Sequence, residues 1–401
     1  MIHRSLLVSL TLIVLAGCST LPRQAAVPEP ETHKAFVPGL NDVRYIAGNA
    51  RDIERMRLDV LDLLPKKQAY LKSQGMSLDN LPPANFLALS GGGDKGAYSA
   101  GLLNGWTAAG TRPTFDLVTG ISTGALIAPY AFLGSAHDAE LKEMYTNTSS
   151  KDLVEARGIL ALVSEDSVLD TTPLRAIIRK QITRAFLDEV AAEYQKGRIL
   201  LIGTTNIDAT KGVMWNMTKI ASSQDPKALE LFQNIMLASA SIPVAFPPVM
   251  IEVEADGKTY QEMHVDGGTM AQVFIYPSSI KLNEMSKANG FVRKRNLYII
   301  MNERIDTEWA ETQRSLFNIG GRAVGALIHN QGIGDLYRLY VTAQQDGLDF
   351  NLAYIPADFN HPDAGVFNSA YMKALYQRGY DQAIKGYDWM KAPPGLVQSS
   401  K

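Results

Sequence analysis

Residues 120–124, Gly-Ile-Ser-Thr-Gly, are the part of this sequence best suited to chemistry. The apolar residues Leu117 and Val118 lead into it, and the helix-forming run Ala125-Leu126-Ile127-Ala128 leads out. That pattern places Ser122 on a sharp strand-to-helix turn. A serine held there has a strained backbone, and side chains two residues before and after it would collide, which accounts for Gly120 and Gly124. The hydroxyl is left at a helix N-terminus, where amides without intrahelical acceptors favour negative charge. This is the arrangement of a nucleophile elbow. The same residues also make an ordinary helix cap, so the partners of Ser122 decide between the two.

A second turn of the same kind lies upstream. Asn85 to Ser90 reads as an apolar strand buried on both faces of a parallel sheet. It runs into Gly91-Gly92-Gly93-Asp94-Lys95-Gly96, and a helix begins near Ala97. Successive glycines leave backbone N–H groups unshielded and able to converge on one anion. A nucleotide phosphate loop is the rival reading, but the spacing fits neither common phosphate-binding pattern. Two consecutive strand–turn–helix units put both turns at the carboxyl edge of one sheet. The glycine loop can therefore serve as an oxyanion hole for an intermediate formed at Ser122. Loss of one such donor costs about 3 kcal/mol of transition-state stabilisation.

Serine needs a base near neutral pH. His33, His137, His264, His329 and His361 stand in no context that marks them. Asp266 does: the strand Glu262 to Val265 ends at Asp266-Gly267-Gly268. The other Asp-Gly pairs read as turns, Asp256-Gly257 in a hairpin and Asp346-Gly347 before a strand over 349–355. Taken from the residues alone, two arrangements stay open. Asp266 acts directly on Ser122, or His264, on the same side of the strand as Asp266, completes a Ser-His-Asp triad.

A Gly-Gly-Gly-x-Lys/Arg-Gly loop, then Gly-x-Ser-x-Gly, then Asp-Gly-Gly, in that order, resembles the signature of the patatin-like phospholipases. The resemblance extends to Leu169-Asp170-Thr171-Thr172-Pro173-Leu174, to Ala238–Pro243 with Phe246-Pro247-Pro248, and to the last helix around Gly379-Tyr380, covering residues 84–386. It implies a three-layer α/β/α fold with a mainly parallel central sheet. It also implies Ser122 as nucleophile and Asp266 as its direct base, a dyad without histidine, with Gly267 and Gly268 completing the third motif. Gly91, Gly92, Gly93, Lys95 and Gly96 become the oxyanion loop. Lys95 fills a position more often held by Arg; it can fix the loop but cannot copy a planar bidentate clamp. The implied activity is hydrolysis of lipid acyl esters, of phospholipase A or esterase type, through an acyl-serine. No metal or other cofactor is expected, since the sequence has neither His-Glu-x-x-His nor an EF-hand loop. Acyl transfer from the same acyl-serine, or lipid binding without turnover, are the alternatives.

The remaining readings concern place and organisation. Residues 1–18 carry His3-Arg4, an apolar run from Leu6 to Leu15 too short to span a bilayer, and Leu15-Ala16-Gly17-Cys18. This ending resembles the bacterial lipobox, whose cysteine is acylated. Cys18 is the only cysteine, and Ser19 after it points to the outer membrane of a bacterial envelope. Residues 19–40 contain Pro22, Pro28, Pro30 and Pro38 and read as an extended linker. Residues 41–84 form a helical extension, with a helix over 50–74, followed by a catalytic domain at 85–390 and a tail at 391–401. Leu153 to Leu169 is either a cover over an acyl-chain groove or a core element. With 39 basic and 41 acidic residues the charge is balanced, which gives no sign of a nucleic-acid partner. The expected partners are an acyl-ester lipid and, through lipidated Cys18, the membrane.

Overall fold

The computed structural model describes residues 21–77, 81–147, 165–307, 309–361 and 367–396, with 152, 155–156 and 365. The leader with Cys18, most of the stretch 153–164 and residues 397–401 lie outside the described residues. In chain order the first half comprises β1 (Arg44–Ile46), α1 (Ala50–Ser73), β2 (Ala84–Leu89), α2 (Ala97–Ala108), β3 (Leu117–Ile121), α3 (Thr123–Leu133) and α4 (Asp138–Thr146). Then come β4 (Glu155–Ala156), β5 (Leu169–Asp170), α5 (Thr172–Gln181), α6 (Arg184–Gln195), β6 (Ile199–Asn206), β7 (Lys211–Asn216) and α7 (Met217–Ser222). The last part holds α8 (Ala228–Ser239), β8 (Val249–Ala255), β9 (Lys258–Asp266), α9 (Leu282–Ala288), β10 (Arg295–Met301), α10 (Leu316–Asp346), β11 (Leu348–Tyr354) and α11 (Ser369–Ile384).

One mixed, mostly parallel sheet organises these elements. Strands β6, β3, β2, β10 and β11 run parallel in that order. β7 and β1 extend the sheet antiparallel beyond β6, and the β8–β9 hairpin joins β6 from its other edge. The parallel strands are apolar without interruption because both faces are covered. Leu87, Leu89, Val118, Leu200 and Ile202 face a layer that includes α2, α3, α6, α8 and α11. Their neighbours Phe86, Ala88, Leu117, Ile199 and Leu201 face α1 and the second half of α10. The result is an α/β fold in three layers.

Several local expectations meet a different outcome. Residues 21–40 do not run free as a linker. Arg23 grips Asp208 through two hydrogen bonds of 2.8 and 2.7 Å, Phe36 and Glu254 exchange backbone hydrogen bonds, and Val27, Val37 and Leu40 are buried. Prolines keep this segment extended, and an extended backbone can bond the open edge of β8. The extension at 41–84 is likewise tied to the catalytic body, since β1 pairs with β7 in the central sheet. Asp346-Gly347 is a helix end, with Gly347 (φ 64°) closing α10 in the left-handed conformation. Asp256-Gly257, by contrast, turns the β8–β9 hairpin as expected, Ala255 pairing with Lys258.

Candidate active site

The register of β6 brings two distant parts of the chain together. Ile121 at the end of β3 pairs with Gly203, and Asp266 at the end of β9 pairs with the next residue, Thr204. β9 thus takes over the edge of β6 where β3 stops, so Ser122 and Asp266 arrive at the same height of the sheet.

Ser122 has φ 54° and ψ −124°, a strained conformation for a residue with a side chain, and is buried at the first turn of α3. A Cβ on Gly120 would lie 2.3 Å from the Gly124 carbonyl oxygen, and one on Gly124 would lie 2.4 Å from that of Leu89. Both obstacles are backbone, so neither glycine can be replaced without moving the elbow. Ser239 holds the turn from below: its hydroxyl accepts from Ser122 N at 3.0 Å and donates to the Gly203 carbonyl at 2.7 Å. Two residues on, the Ser241 carbonyl accepts from Asp266 N at 2.8 Å. One short segment therefore fixes the backbone of both Ser122 and Asp266.

The Asp266 carboxylate is buried. Its Oδ1 accepts from Gly268 N at 2.6 Å, while Oδ2 is buried with no hydrogen bond of full geometry. Burial pushes the carboxyl up to about 7, against the Ser122 hydroxyl and the Gly268 amide, which pull it down. A carboxylate with one occupied oxygen, one open lone pair and a pKa near neutrality is suited to accept a proton from an adjacent hydroxyl. Gly267 permits this approach, because a Cβ there would lie 2.5 Å from the Gly203 carbonyl oxygen.

His264 does not join the site. Its Nδ1 lies 2.9 Å from Thr204 Oγ1 and its Nε2 lies 3.1 Å from Glu262, whose carboxylate also pairs with buried Arg44. Burial and Arg44 lower the pKa of His264, against Glu262. With both ring nitrogens engaged away from Asp266, the triad left open by the residues has no geometry here.

The glycine loop divides into distinct roles. Gly91 N donates to the Gln272 carbonyl at 3.0 Å, so its amide is not available to an oxyanion. Gly92 (φ 145°) and Gly93 (φ 59°) adopt conformations open to glycine, and their amides have no acceptor among the described residues. Gly93 lines the same pocket as Ser122. Gly96 serves packing: a Cβ there would lie 2.1 Å from Thr123 Oγ1. Lys95 pairs with Glu303 at 2.8 Å, which pins the loop to the end of β10. Asn302 completes the clamp, its Nδ2 donating to the Ser90 carbonyl at 2.9 Å and its Oδ1 accepting from the Ser99 hydroxyl at 2.6 Å.

Beside Ser122 opens a mostly apolar pocket lined by Leu126, Met144, Leu174, Ile242, Phe246 and Phe367. Its free volume is about 50 Å³, room for a water or two. Met144, unbranched and flexible, gives this wall room to adapt to an acyl chain.

Sequence reasoning did not find Thr123, Gln272, Asn302 or Glu303. Asn302 and Glu303 follow the end of β10, a strand-end position at the edge where α/β sheets build sites, which is the one signal that would have raised them. Gln272 carries no such signal. Ser239 and Ser241 belonged to a recognised motif, but their roles depend on contacts over long sequence separations.

Residues 87–277 match the family model described as patatin-like phospholipase. No curated protein matches by sequence. Among solved structures the chain is similar to VipD from Legionella pneumophila, with 13% identity and a TM-score of 0.38 over 76% of this chain and 67% of that one. It is also similar to ExoU from Pseudomonas aeruginosa, solved in complex with SpcU, with 13% identity and a TM-score of 0.34 over 76% and 52%. A third is human GIVD cytosolic phospholipase A2, with 10% identity and a TM-score of 0.31 over 77% and 54%. The chain thus spans about half the length of the last two. Likeness at this level carries no argument, and the resemblance rests on the sequence match over residues 87–277.

Proposed function

We propose that this chain, whose residues 87–277 match the patatin-like phospholipase model, is a serine lipid acyl hydrolase of that kind and cleaves lipid acyl esters with a Ser122–Asp266 dyad. Asp266 Oδ2 takes the hydroxyl proton as Ser122 Oγ attacks the ester carbonyl. The amides of Gly92 and Gly93, with that of Thr123 at the start of α3, hold the oxyanion. Collapse of the tetrahedral intermediate expels the alcohol, which takes the proton from Asp266. Water, deprotonated by the same carboxylate, then releases the fatty acid from the acyl-serine. The observation that carries this reading is a strained serine beside a buried carboxyl raised to about 7, with no histidine bonded to either.

The test is turnover of a medium-chain nitrophenyl ester and of phospholipid vesicles by the purified protein. Ser122→Ala and Asp266→Asn should each lose at least about 10³-fold, whereas His264→Asn should keep most of its kcat. Equal loss in His264→Asn and Asp266→Asn would restore the triad.

For place, the proposal is a bacterial lipoprotein acylated on Cys18 and carried to the outer membrane, supported by Leu15-Ala16-Gly17-Cys18 followed by Ser19. Metabolic labelling with palmitate should mark the wild type and not Cys18→Ser, and the labelled protein should fractionate with outer membranes. Label retained in the variant would remove Cys18 from this role.

A further inference from the structure

The first half of α10 stands off the body. Each residue from 318 to 327 is exposed, with Leu316 83% and Leu327 71% accessible and Trp309, just upstream, 89%. Leu316, Ile319, Ala323 and Leu327 fall on one stripe at helical spacing, with Val324 beside it and Asn318 and Arg322 on the opposite side. A helical stretch of this length is marginal in water. Gly320, Gly321 and Gly325 weaken it further, by roughly 1 kcal/mol each relative to Ala. An apolar stripe on a weak helix calls for a surface to cover it.

Position and charge identify that surface. The second half of α10 is anchored by buried Leu336, Leu339 and Ala343. At the point of departure, Asp335 accepts from Gln272 N at 2.7 Å, and Gln272 in turn receives the Gly91 amide. The helix therefore leaves the body beside the glycine loop and extends roughly 20 Å past it at 1.5 Å per residue. Val244, 74% exposed, adds an apolar point next to the pocket residues Ile242 and Phe246. Residues 309–327 carry Arg314 and Arg322 against one acidic residue, Glu311, at the end near Trp309, and no Asp or Glu follows until Asp335. No helix among the described residues is long and apolar enough to cross a membrane, so the element lies on a surface and does not span one.

We propose that residues 309–327 are an interfacial element that seats the active-site edge on an anionic lipid surface. The apolar stripe and Trp309 lie at the acyl boundary, and Arg314 lies among the head groups. The choice of occupant rests on the acyl-ester reading, in which the substrate is held in a bilayer. A second copy of the chain covering the same stripe is the rival occupant, and the test below separates the two.

The test uses the full chain and phosphatidylglycerol vesicles with brominated acyl chains, with phosphatidylcholine vesicles for comparison. Quenching of Trp309, assigned by its loss in Trp309→Phe, reports this element whether or not another anchor holds the chain. The wild type should be quenched, more strongly on the anionic vesicles. Leu316→Asp/Leu327→Asp, which alters only exposed positions, should abolish quenching and slow vesicle hydrolysis at least about tenfold, with turnover of the soluble ester kept within about twofold. Absent quenching on either vesicle, or quenching unchanged in the double variant, would overturn the proposal. So would a dimer that the double variant dissolves in the absence of any quenching. Quenching by a wild type that hydrolyses no ester would retain this surface and refute the hydrolase reading instead.

Discussion

As the proposed base, Asp266 meets two opposing demands, because the burial that would poise it also penalises its charge. The proposed dyad needs the unprotonated carboxylate, so kcat/KM should rise with pH to a plateau with a midpoint near 7, measured on a soluble ester. The same shift carries a stability cost. Between the ordinary value of 3.8 and about 7 the folded protein holds a proton that the unfolded chain has released. Stability therefore falls as pH rises through that window. Asp266→Asn, inactive, should be the more stable protein above pH 7, by up to roughly 4 kcal/mol, with the gap closing as pH falls toward 4. Urea unfolding at pH 8 and pH 4.5 checks this. His264 shows what local reading leaves out. Strand alternation put it on the same side as Asp266, but alternation fixes only direction, and its ring bonds Thr204 and Glu262.

At the scale of elements, steric demands that are local were legible and those between elements were not. The Gly-x-Ser-x-Gly pattern announces itself because the turn alone requires both glycines. Gly101, Gly105 and Gly379 gave no comparable signal. They let α2 and α11 approach until a Cβ on Gly101 would lie 1.9 Å from the Tyr376 carbonyl oxygen, and one on Gly379 would lie 2.4 Å from that of Tyr98. Since backbone cannot rotate aside as a side chain can, Gly101→Val should destabilise by at least about 3 kcal/mol, read by denaturant unfolding. Gly110→Ala serves as the comparison: with no atom within 4 Å of its added Cβ, only the left-handed backbone there opposes it, and it should cost less. The glycine loop belongs to the same lesson. Its composition marked an anion site, but which amides remain available was decided by Gln272 and by the clamp through Asn302 and Glu303.

For the whole molecule, the N-terminal segment changes how an anchor would hold the enzyme. With Arg23 gripping Asp208 and Phe36 bonded to Glu254, any tether to Cys18 is confined to the few residues before Arg23. The catalytic body is then held close to the surface that carries the acyl chains, not at the end of a long linker. Deleting residues 21–40 should lower stability by up to about 4–9 kcal/mol, the order expected from losing the burial of Val27, Val37 and Leu40 at roughly 1.5–3 kcal/mol each. Denaturant unfolding of the shortened chain tests this, and no loss would mean the segment rests on the body without supporting it.

The sequence by itself determined the fold class and pointed to the chemistry proposed for Ser122 and Asp266. A nucleophile elbow, a glycine loop and a strand-ending Asp-Gly-Gly are each dictated by backbone sterics within a few residues, and unbroken apolar strands demand a sheet covered on both sides. Tertiary structure alone decided which partners meet. The pairing of Ile121 and Asp266 with adjacent residues of β6, the diversion of His264 to Glu262, the engagement of the Gly91 amide by Gln272 and the docking of residues 21–40 all depend on register and packing across long separations. Those are set by the sum of many weak contacts, and no short pattern of residues records them.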